Sequence, residues 1–478
     1  MRRLALTMAL MLAGCAVGPD YRKPGVKAPA QFKELDGWRE ARPADALPRG
    51  SWWSVFGDPE LDALMKRVEV SNQTIRVAEA RLRQASAVAD QARAGLFPTV
   101  SANASATRSR APSLPNAPTT SKAVNNFSGS LNASWELDLW GRVRRSIEAG
   151  EASFQASAAD LEAARLSARS ALAQNYLALR VADTTRQLLE DTVAAYARSL
   201  ELTRNRYASG VVARVDVVQA EVQLKSAQAQ LIDVGVERAQ LEHAIAILLG
   251  EAPANFALAR APLVAKMPEI PIALPSELLE RRPDIASAER SVAAANAQIG
   301  VAKAAFFPTL TLSSAVGYRS TSLANLLTSP ARFWSLGGAA TQAVFDGGLR
   351  RAVTNQAIAA YDAEVATYRQ TVLTGFQEVE DNLAALRILE EEAAVQDEVV
   401  EGARHAVELA TNQYRAGVVS YLNVITAQAT AFTNERAALG ILGRRLTASV
   451  VLIRALGGGW SAADLVHQAD RDVRAPAP

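Results

Sequence analysis

The side chain best placed for covalent chemistry is that of Cys15, the only cysteine in 478 residues. It follows Met1-Arg2-Arg3, an apolar stretch from Leu4 to Leu12, and Ala13-Gly14. These are the charged start, short apolar middle and small-residue cleavage site of an export signal, and the run is too short to span a bilayer. Leu12-Ala13-Gly14-Cys15 also resembles a bacterial lipoprotein box, in which cleavage before the cysteine leaves a thiol to be acylated. Residues 1–14 are then a signal peptide, and Cys15 is the mature N-terminus carrying covalent lipid. Ala16 rather than an aspartate comes next, which in such lipoproteins implies sorting to the outer membrane. Acyl chains hold a protein to a surface without making it span. An ordinary signal peptide with a chance cysteine is the alternative. One cysteine allows no disulfide within the chain and no cysteine-based zinc site.

No catalytic constellation accompanies it. His243, His405 and His467 are scattered without metal-ligand spacing, and neither a phosphate-binding glycine loop nor a nucleophile elbow is present. Carboxylates on long helices read as a solvated face. Lys+Arg 51 against Asp+Glu 49 leaves a formal charge of +2, which gives no basic face for nucleic acid. Removing 1–14 takes away Arg2 and Arg3 and no acid, so the mature charges balance. Met65 and Met267 alone remain as methionines after cleavage, too few for a thioether relay for soft metals. A chain 49% hydrophobic and 21% charged folds throughout.

The elements that must carry any function are written twice. Leu96-Phe97-Pro98-Thr99 returns as Phe306-Phe307-Pro308-Thr309, an offset of 210. Tyr207-Ala208-Ser209-Gly210-Val211-Val212 returns as Tyr414-Arg415-Ala416-Gly417-Val418-Val419 at 207, as does Leu249-Gly250 at Leu456-Gly457. Such a period far exceeds that of solenoid repeats, so this is one duplicated unit. In each half a helical run (70–95 and 284–305) meets an aromatic-Pro pair that ends it. Period-two segments follow. Val100, Ala102, Ala104 and Ala106 alternate with Ser101, Asn103, Ser105 and Thr107, and Phe127 to Trp135 alternate with Ser128 to Ser134. Leu310, Leu312 and Val316 do the same in the second half, with a partner strand over 333–345. Loops fall at 108–125 and 319–331. Proline-free helical runs then cover 142–205 and 349–415, each about 90 Å long at 1.5 Å per residue. Gly210 and Gly417 break them, and second long helices (214–249 and 421–456) complete two antiparallel hairpins.

Four strands of about ten residues, small or apolar on one face and hydroxyl-bearing or amide on the other, suit an outer-membrane wall. Four cannot close, because lipid tolerates no open edge and bacterial barrels need at least about eight strands. Several chains must share one barrel; three would supply twelve strands. Two water-soluble hairpins are the alternative on periodicity alone.

At this point the residues resemble the TolC-like outer membrane efflux proteins, in the lipidated, NodT-type branch that serves resistance-nodulation-division pumps. Beyond the duplication, the resemblance rests on Trp52-Trp53-x-x-Phe56-x-Asp58-Pro59-x-Leu61, and on Arg281-Arg282-Pro283-Asp284-Ile285 followed by Ala288-Glu289 and Phe307-Pro308. It implies a mainly α fold with membrane β: a homotrimer whose long periplasmic α-barrel of helical hairpins continues into a shared twelve-stranded β-barrel in outer-membrane lipid. The halves are 61–250 and 276–457, with equatorial pieces at 15–60, 251–275 and 458–478. Implied partners are a periplasmic adaptor and an inner-membrane proton-driven transporter, which supplies the energy for efflux of small molecules. The alternatives are a protein-secretion conduit, whose members usually lack the lipid box, and a non-pore periplasmic coiled-coil lipoprotein, which has no need of strand hairpins.

The resemblance also implies a gate at the hairpin ends. Gly210 and Gly417 shape the tips that meet adaptors. Asp216 matches the acid that links the two hairpins in the closed state, and Tyr414 the tyrosine that donates to it, a bond of about 1.5–3 kcal/mol. Leu422 matches a hydrophobic constriction. Asn423 and Thr426 stand where relatives place acids, and Val419 where some have an arginine. A ring of acids concentrates cations, whereas Asn and Thr present neutral dipoles. The expected gate is therefore held by Leu422 packing and the Asp216 to Tyr414 link. Reversal potentials in a salt gradient should show a weaker cation preference than in acid-ringed relatives; equal selectivity would refute the assignment of Asn423 and Thr426.

Overall fold

The computed structural model describes residues 16–34, 51–110, 123–268, 270 and 278–462. Cys15, the expected signal peptide at 1–14, His467 and most of 458–478 lie outside the described residues. Asp58 opens the first half: its carboxylate accepts from the backbone N–H of Glu60 (2.9 Å) and Leu61 (3.2 Å), with Pro59 pre-set in the first helical position. Helix α1 (Pro59–Ser71) follows, then α2 (Gln73–Ala94), strands β1 (Thr99–Ser109) and β2 (Val124–Leu137), and helices α3 (Arg142–Ala208) and α4 (Arg214–Leu248). The second half runs α5 (Leu278–Arg281), α6 (Pro283–Ala304), β3 (Thr309–Ser320), β4 (Arg332–Thr341), α7 (Leu349–Arg415) and α8 (Tyr421–Ala455). The duplication is metric as well as sequential, since α3 and α7 both have 67 residues and α4 and α8 both have 35.

Two boundaries differ from the sequence reading. The run at 70–95 is two helices, because Asn72 leaves helical geometry and its Oδ1 accepts from the N–H of Thr74 (2.9 Å) and Ile75 (3.1 Å), capping a new helix. Strand β4 ends at Thr341 rather than 345. Its partner begins at Thr309, which pairs with Thr341, so no ladder remains for 342–345.

The chain forms two compact units. The first takes the described parts of 1–25, 82–157 and 287–368, and its centre is a four-stranded sheet in the order β1-β2-β3-β4, every pair antiparallel. Cross-strand partners share a face. Val100 opposite Ala133, Leu131 opposite Val316, and Val316 opposite Trp334 make one face apolar. Ser105 opposite Ser128, Asn132 opposite Ala315, and Ser313 opposite Gly337 make the other polar. Val100, Leu131, Trp334 and Leu336 are all exposed in the single chain. At the base of the sheet the Trp135 indole donates to the Leu96 carbonyl (2.9 Å) and that of Trp140 to Pro308 (2.8 Å), while Trp140 stacks on Phe307 at 4.9 Å. Residues 16–21 are stapled to the same base. Val17 N–H donates to Trp140 (3.0 Å), Asn296 donates to the Pro19 carbonyl (3.0 Å), Arg145 pairs with Asp20 (2.8 Å), and the Tyr21 hydroxyl bonds Glu289.

The second unit takes the described parts of 26–81, 158–286 and 369–478. Trp52, Phe56, Leu61, Met65, Tyr176 and Leu177 are buried in it. Arg180 is buried among them and is fully engaged: with Asp183 (3.0 Å), Glu60 (2.5 Å), the Tyr176 hydroxyl (3.2 Å) and the Ala259 carbonyl (2.8 Å). Tyr176 in turn donates to Asp58 (2.7 Å), and burial pushes its phenol above the ordinary range. Arg238 joins Asp183 (2.7 Å) to the Leu258 carbonyl (2.7 Å). A buried guanidinium is tolerable only when every donor is satisfied, and here the partners also fix the linker at 258–261.

Both halves repeat one joint with different residues. Asn72 Nδ2 donates to the Leu248 carbonyl (2.8 Å), and Arg282, at the same place in the second half, donates to Ala455 (3.3 Å). The glycine beyond each long helix has a positive φ, 70° at Gly250 and 91° at Gly457, and a Cβ there would strike the carbonyl of Ser71 or Arg281. Gly457→Ala therefore meets both strain and backbone overlap, whereas Gly210→Ala meets open space and costs only about 1–2 kcal/mol of left-handed strain. Thermal unfolding of the purified variants should show Gly457→Ala losing distinctly more stability; equal losses would refute the overlap.

Candidate gate at the tips of the helical hairpins

The turn of each hairpin is made by the same hydrogen bonds. Gly210 (φ 73°) and Gly417 (φ 77°) are left-handed. Val211 N–H donates to Arg206 and Gly210 N–H to Tyr207, as Val418 donates to Gln413 and Gly417 to Tyr414. This is a Schellman cap in both halves, which glycine satisfies without strain. It leaves Val211, Val418 and Tyr207 exposed at the turns.

Behind the turns lies a small apolar cluster. Leu200, Ala220, Tyr414, Tyr421 and Val424 are buried together, with Val212, Val217, Leu224 and Val419 packed against them. The rings of Tyr414 and Tyr421 are 5.2 Å apart and tilted by 52°. Burial pushes the Tyr421 phenol up, with Ser199 and Thr203 opposing the shift through hydrogen bonds. Gln428 also donates to the Ser199 hydroxyl (3.2 Å), a further tie between α8 and α3.

The expected bond between Tyr414 and Asp216 is not made. Tyr414 points into the cluster, and its hydroxyl is buried with no hydrogen-bond partner among the described residues. Asp216 stays half-buried in the first turn of α4. The tyrosine is held by Arg206 instead. Arg206 Nη1 donates to the Tyr414 carbonyl at 2.6 Å, and its guanidinium carbon lies 4.5 Å over the Tyr414 ring. One cation thus caps the last turn of α7 and engages its aromatic face. Sequence reasoning missed Arg206. The available signal was a departure from the repeat, since the residue 207 positions later is Gln413.

Leu422, Asn423 and Thr426 share an exposed face of α8, one helical turn deep, while Tyr421 and Val424 of the same turn point inward. Leu422 is 54% exposed and stands outside the apolar cluster of the tip. The Thr426 hydroxyl donates to the Leu422 carbonyl (2.9 Å), so it is committed to its own helix. Among the ion pairs that tie the hairpin arms are Arg204 with Glu221 (2.6 Å) and Arg404 with Glu435 (2.5 Å). Among the described residues no three His, Cys, Asp or Glu gather as a metal site, and no helix is long and apolar enough to cross a membrane.

A duplicated chain that supplies an open-edged two-faced sheet and two capped helical hairpins defines a class of outer-membrane channel subunits. The chain belongs to the outer membrane efflux protein family, whose model matches residues 64–251 and 274–458. It is 33% identical over 460 residues to the probable efflux pump outer membrane protein TtgC of Pseudomonas putida, covering 96% of this chain and 95% of that one. It is 33% identical over 467 residues to the pyoverdine export outer membrane protein OpmQ of Pseudomonas aeruginosa, covering 96% and 97%. Among solved structures, the outer-membrane channel OprN has a TM-score of 0.87 at 33% identity, covering 93% of this chain and all of that one. This protein is accordingly an outer-membrane efflux channel protein.

Arg206→Ala should loosen the tip. Loss of a charge-assisted hydrogen bond and a cation–π contact is worth about 2–3 kcal/mol, enough to raise spontaneous opening by roughly tenfold or more. Single-channel recording in planar bilayers checks this. An open probability equal to wild type would remove Arg206 from the gate.

Proposed function

We propose that three copies of this chain close one twelve-stranded barrel and passively conduct small molecules outward. The observation that carries the reading is the four-stranded sheet, apolar on one face and polar on the other, with β1 and β4 each unpaired along one edge among the described residues. In hydrocarbon those edges must pair, and a neighbouring copy offers the complementary strand. The polar faces then line water and the apolar faces meet lipid.

The remaining parts take their places in the same scheme. An inner-membrane resistance-nodulation-division transporter supplies the energy, and a periplasmic adaptor meets the tips around Gly210 and Gly417. Leu422 from each copy lines the constriction, with Asn423 and Thr426 beside it, which suits their outward face on α8. No catalysis and no cofactor beyond covalent lipid belong to the scheme. Acylation of Cys15 agrees with the position of its neighbour: Ala16 lies against Gly141 at the aromatic-lined base of the sheet, where acyl chains would enter the bilayer. Repeat boundaries at 61–250 and 276–457, with equatorial pieces at 15–60, 251–275 and 458–478, complete the proposal.

Light scattering of the detergent-solubilised mature protein, corrected for bound detergent, should give three chains per particle. A stable monomer would leave two strand edges open and overturn the shared barrel.

A further inference from the structure

The charges of the sheet are sorted along its length. No Asp or Glu occurs in 96–135 or 305–345, and the cations there are Arg108, Arg110, Lys122, Arg319 and Arg332. None lies in the body of a strand. Arg108 is near the end of β1, Arg319 near the end of β3, and Arg332 begins β4, so all three stand at the end of the sheet opposite Trp135, Trp140 and Phe307.

The register divides them further. Arg108 pairs with Asn125 and continues the face of Val100, Ala102, Ala104 and Ala106. Arg332 pairs with Tyr318 and continues the face of Trp334 and Leu336. Both therefore crown the apolar, lipid-directed face. Arg319 pairs with Ser128 on the polar face, where its guanidinium covers the Phe333 ring at 5.2 Å. Arg108 and Arg332 are exposed and have no acidic partner among the described residues.

They also sit on the two edge strands. In the closed barrel proposed above, on which this inference rests, β1 of one copy adjoins β4 of the next. Arg108 and Arg332 of neighbouring copies then crown the same end of one seam, above a continuous apolar band with Trp334 and Tyr318 at headgroup level. We infer that each seam is a binding site for a phosphate-bearing lipid headgroup of the outer leaflet, gripped by this arginine pair while its acyl chains lie on the apolar face. Paired guanidinium groups suit phosphate oxygens through charge-assisted bonds. Acyl chains packed across the seam would also cover the join between copies, so the site ties lipid to assembly.

The test uses the mature protein in detergent, read by native mass spectrometry during titration with dioleoyl phosphatidic acid and, separately, dioleoyl phosphatidylcholine. The expected result is a three-chain particle that retains phosphatidic acid at up to three sites and prefers it to phosphatidylcholine. Arg108→Gln with Arg332→Gln should weaken retention of phosphatidic acid roughly tenfold or more, from the loss of two cations near an anionic surface, while Arg319→Gln leaves it unchanged. Three-chain particles that show no preference, or a double variant that binds as wild type does, would overturn the lipid site and leave the barrel standing. Equal loss in Arg319→Gln would show a diffuse rim charge rather than a seam site, and displacement of the lipid by millimolar inorganic phosphate would show a site for free anions; either overturns it. Single-chain particles would overturn the barrel, and the seam with it.

Discussion

The backbone of two edge strands governs this protein. Along their outer edges β1 and β4 present N–H and C=O groups that no strand among the described residues pairs, and each such group left bare in hydrocarbon costs several kcal/mol. No side-chain substitution removes that cost. The sheet must therefore acquire neighbours, and its other features follow from living in lipid once it has them. Strand bodies carry no charge, hydroxyls and amides keep to one face, and indoles at the base donate to the Leu96 and Pro308 carbonyls. The stapling of residues 16–21 to Trp140, Asn296, Arg145 and Glu289 fastens that segment beside the base.

Duplication lets one solution serve twice, and the differences between copies show where the halves have separate duties. The joint between a short helix and the end of a long one is kept, although an amide at Asn72 does in one half what the buried guanidinium of Arg282 does in the other. Arg282 has more donors and more partners. It also pairs with Asp284 (2.6 Å) and Glu378 (2.8 Å), so the second joint reaches α7, whereas Asn72 gives the first one amide contact beside the Arg67–Glu251 ion pair. At the tips the halves diverge further. Positions 206, 207 and 216 hold Arg, Tyr and Asp where 413, 414 and 423 hold Gln, Tyr and Asn. Only one of the two tyrosines is buried, and only one half carries the cation that binds it.

Much of the architecture was legible from residue order, because proline, glycine and periodicity act locally. Leu96-Phe97-Pro98 and Phe306-Phe307-Pro308 mark where helix gives way to strand, and alternation from Val100 and Phe127 assigns faces that the register confirms. What escaped depended on single side chains or on distant partners. Asn72 ends a helix by capping the next, which composition alone does not distinguish from a polar residue inside one. Residues 342–345 look fit for a strand, but their ladder is exhausted because Pro308 precedes the partner. The tip was legible in place and not in wiring. Gly210 and Gly417 turn the hairpins as expected, yet the orientation of Tyr414 is decided by packing against Tyr421 and Leu200, and those contacts join residues far apart in sequence.

Stability in the second unit is distributed unevenly between the network around Arg180 and the tips of the hairpins. Arg180 and Asp183 are buried and each is shared among several partners, Arg238 included, so separating the elements there would strand charges in a low-dielectric core. At the tips the interior is a handful of small or aromatic residues, the ion pairs on the arms are largely exposed, and a single arginine spans from α3 to α7. Exposed pairs contribute little, and when Arg206 lets go the guanidinium passes to water at modest cost. Local opening is drawn from such thinly held segments. A hairpin anchored by a multiply bonded network around Arg180 and held at its tip by one releasable cation is therefore looser at the tip than at the network.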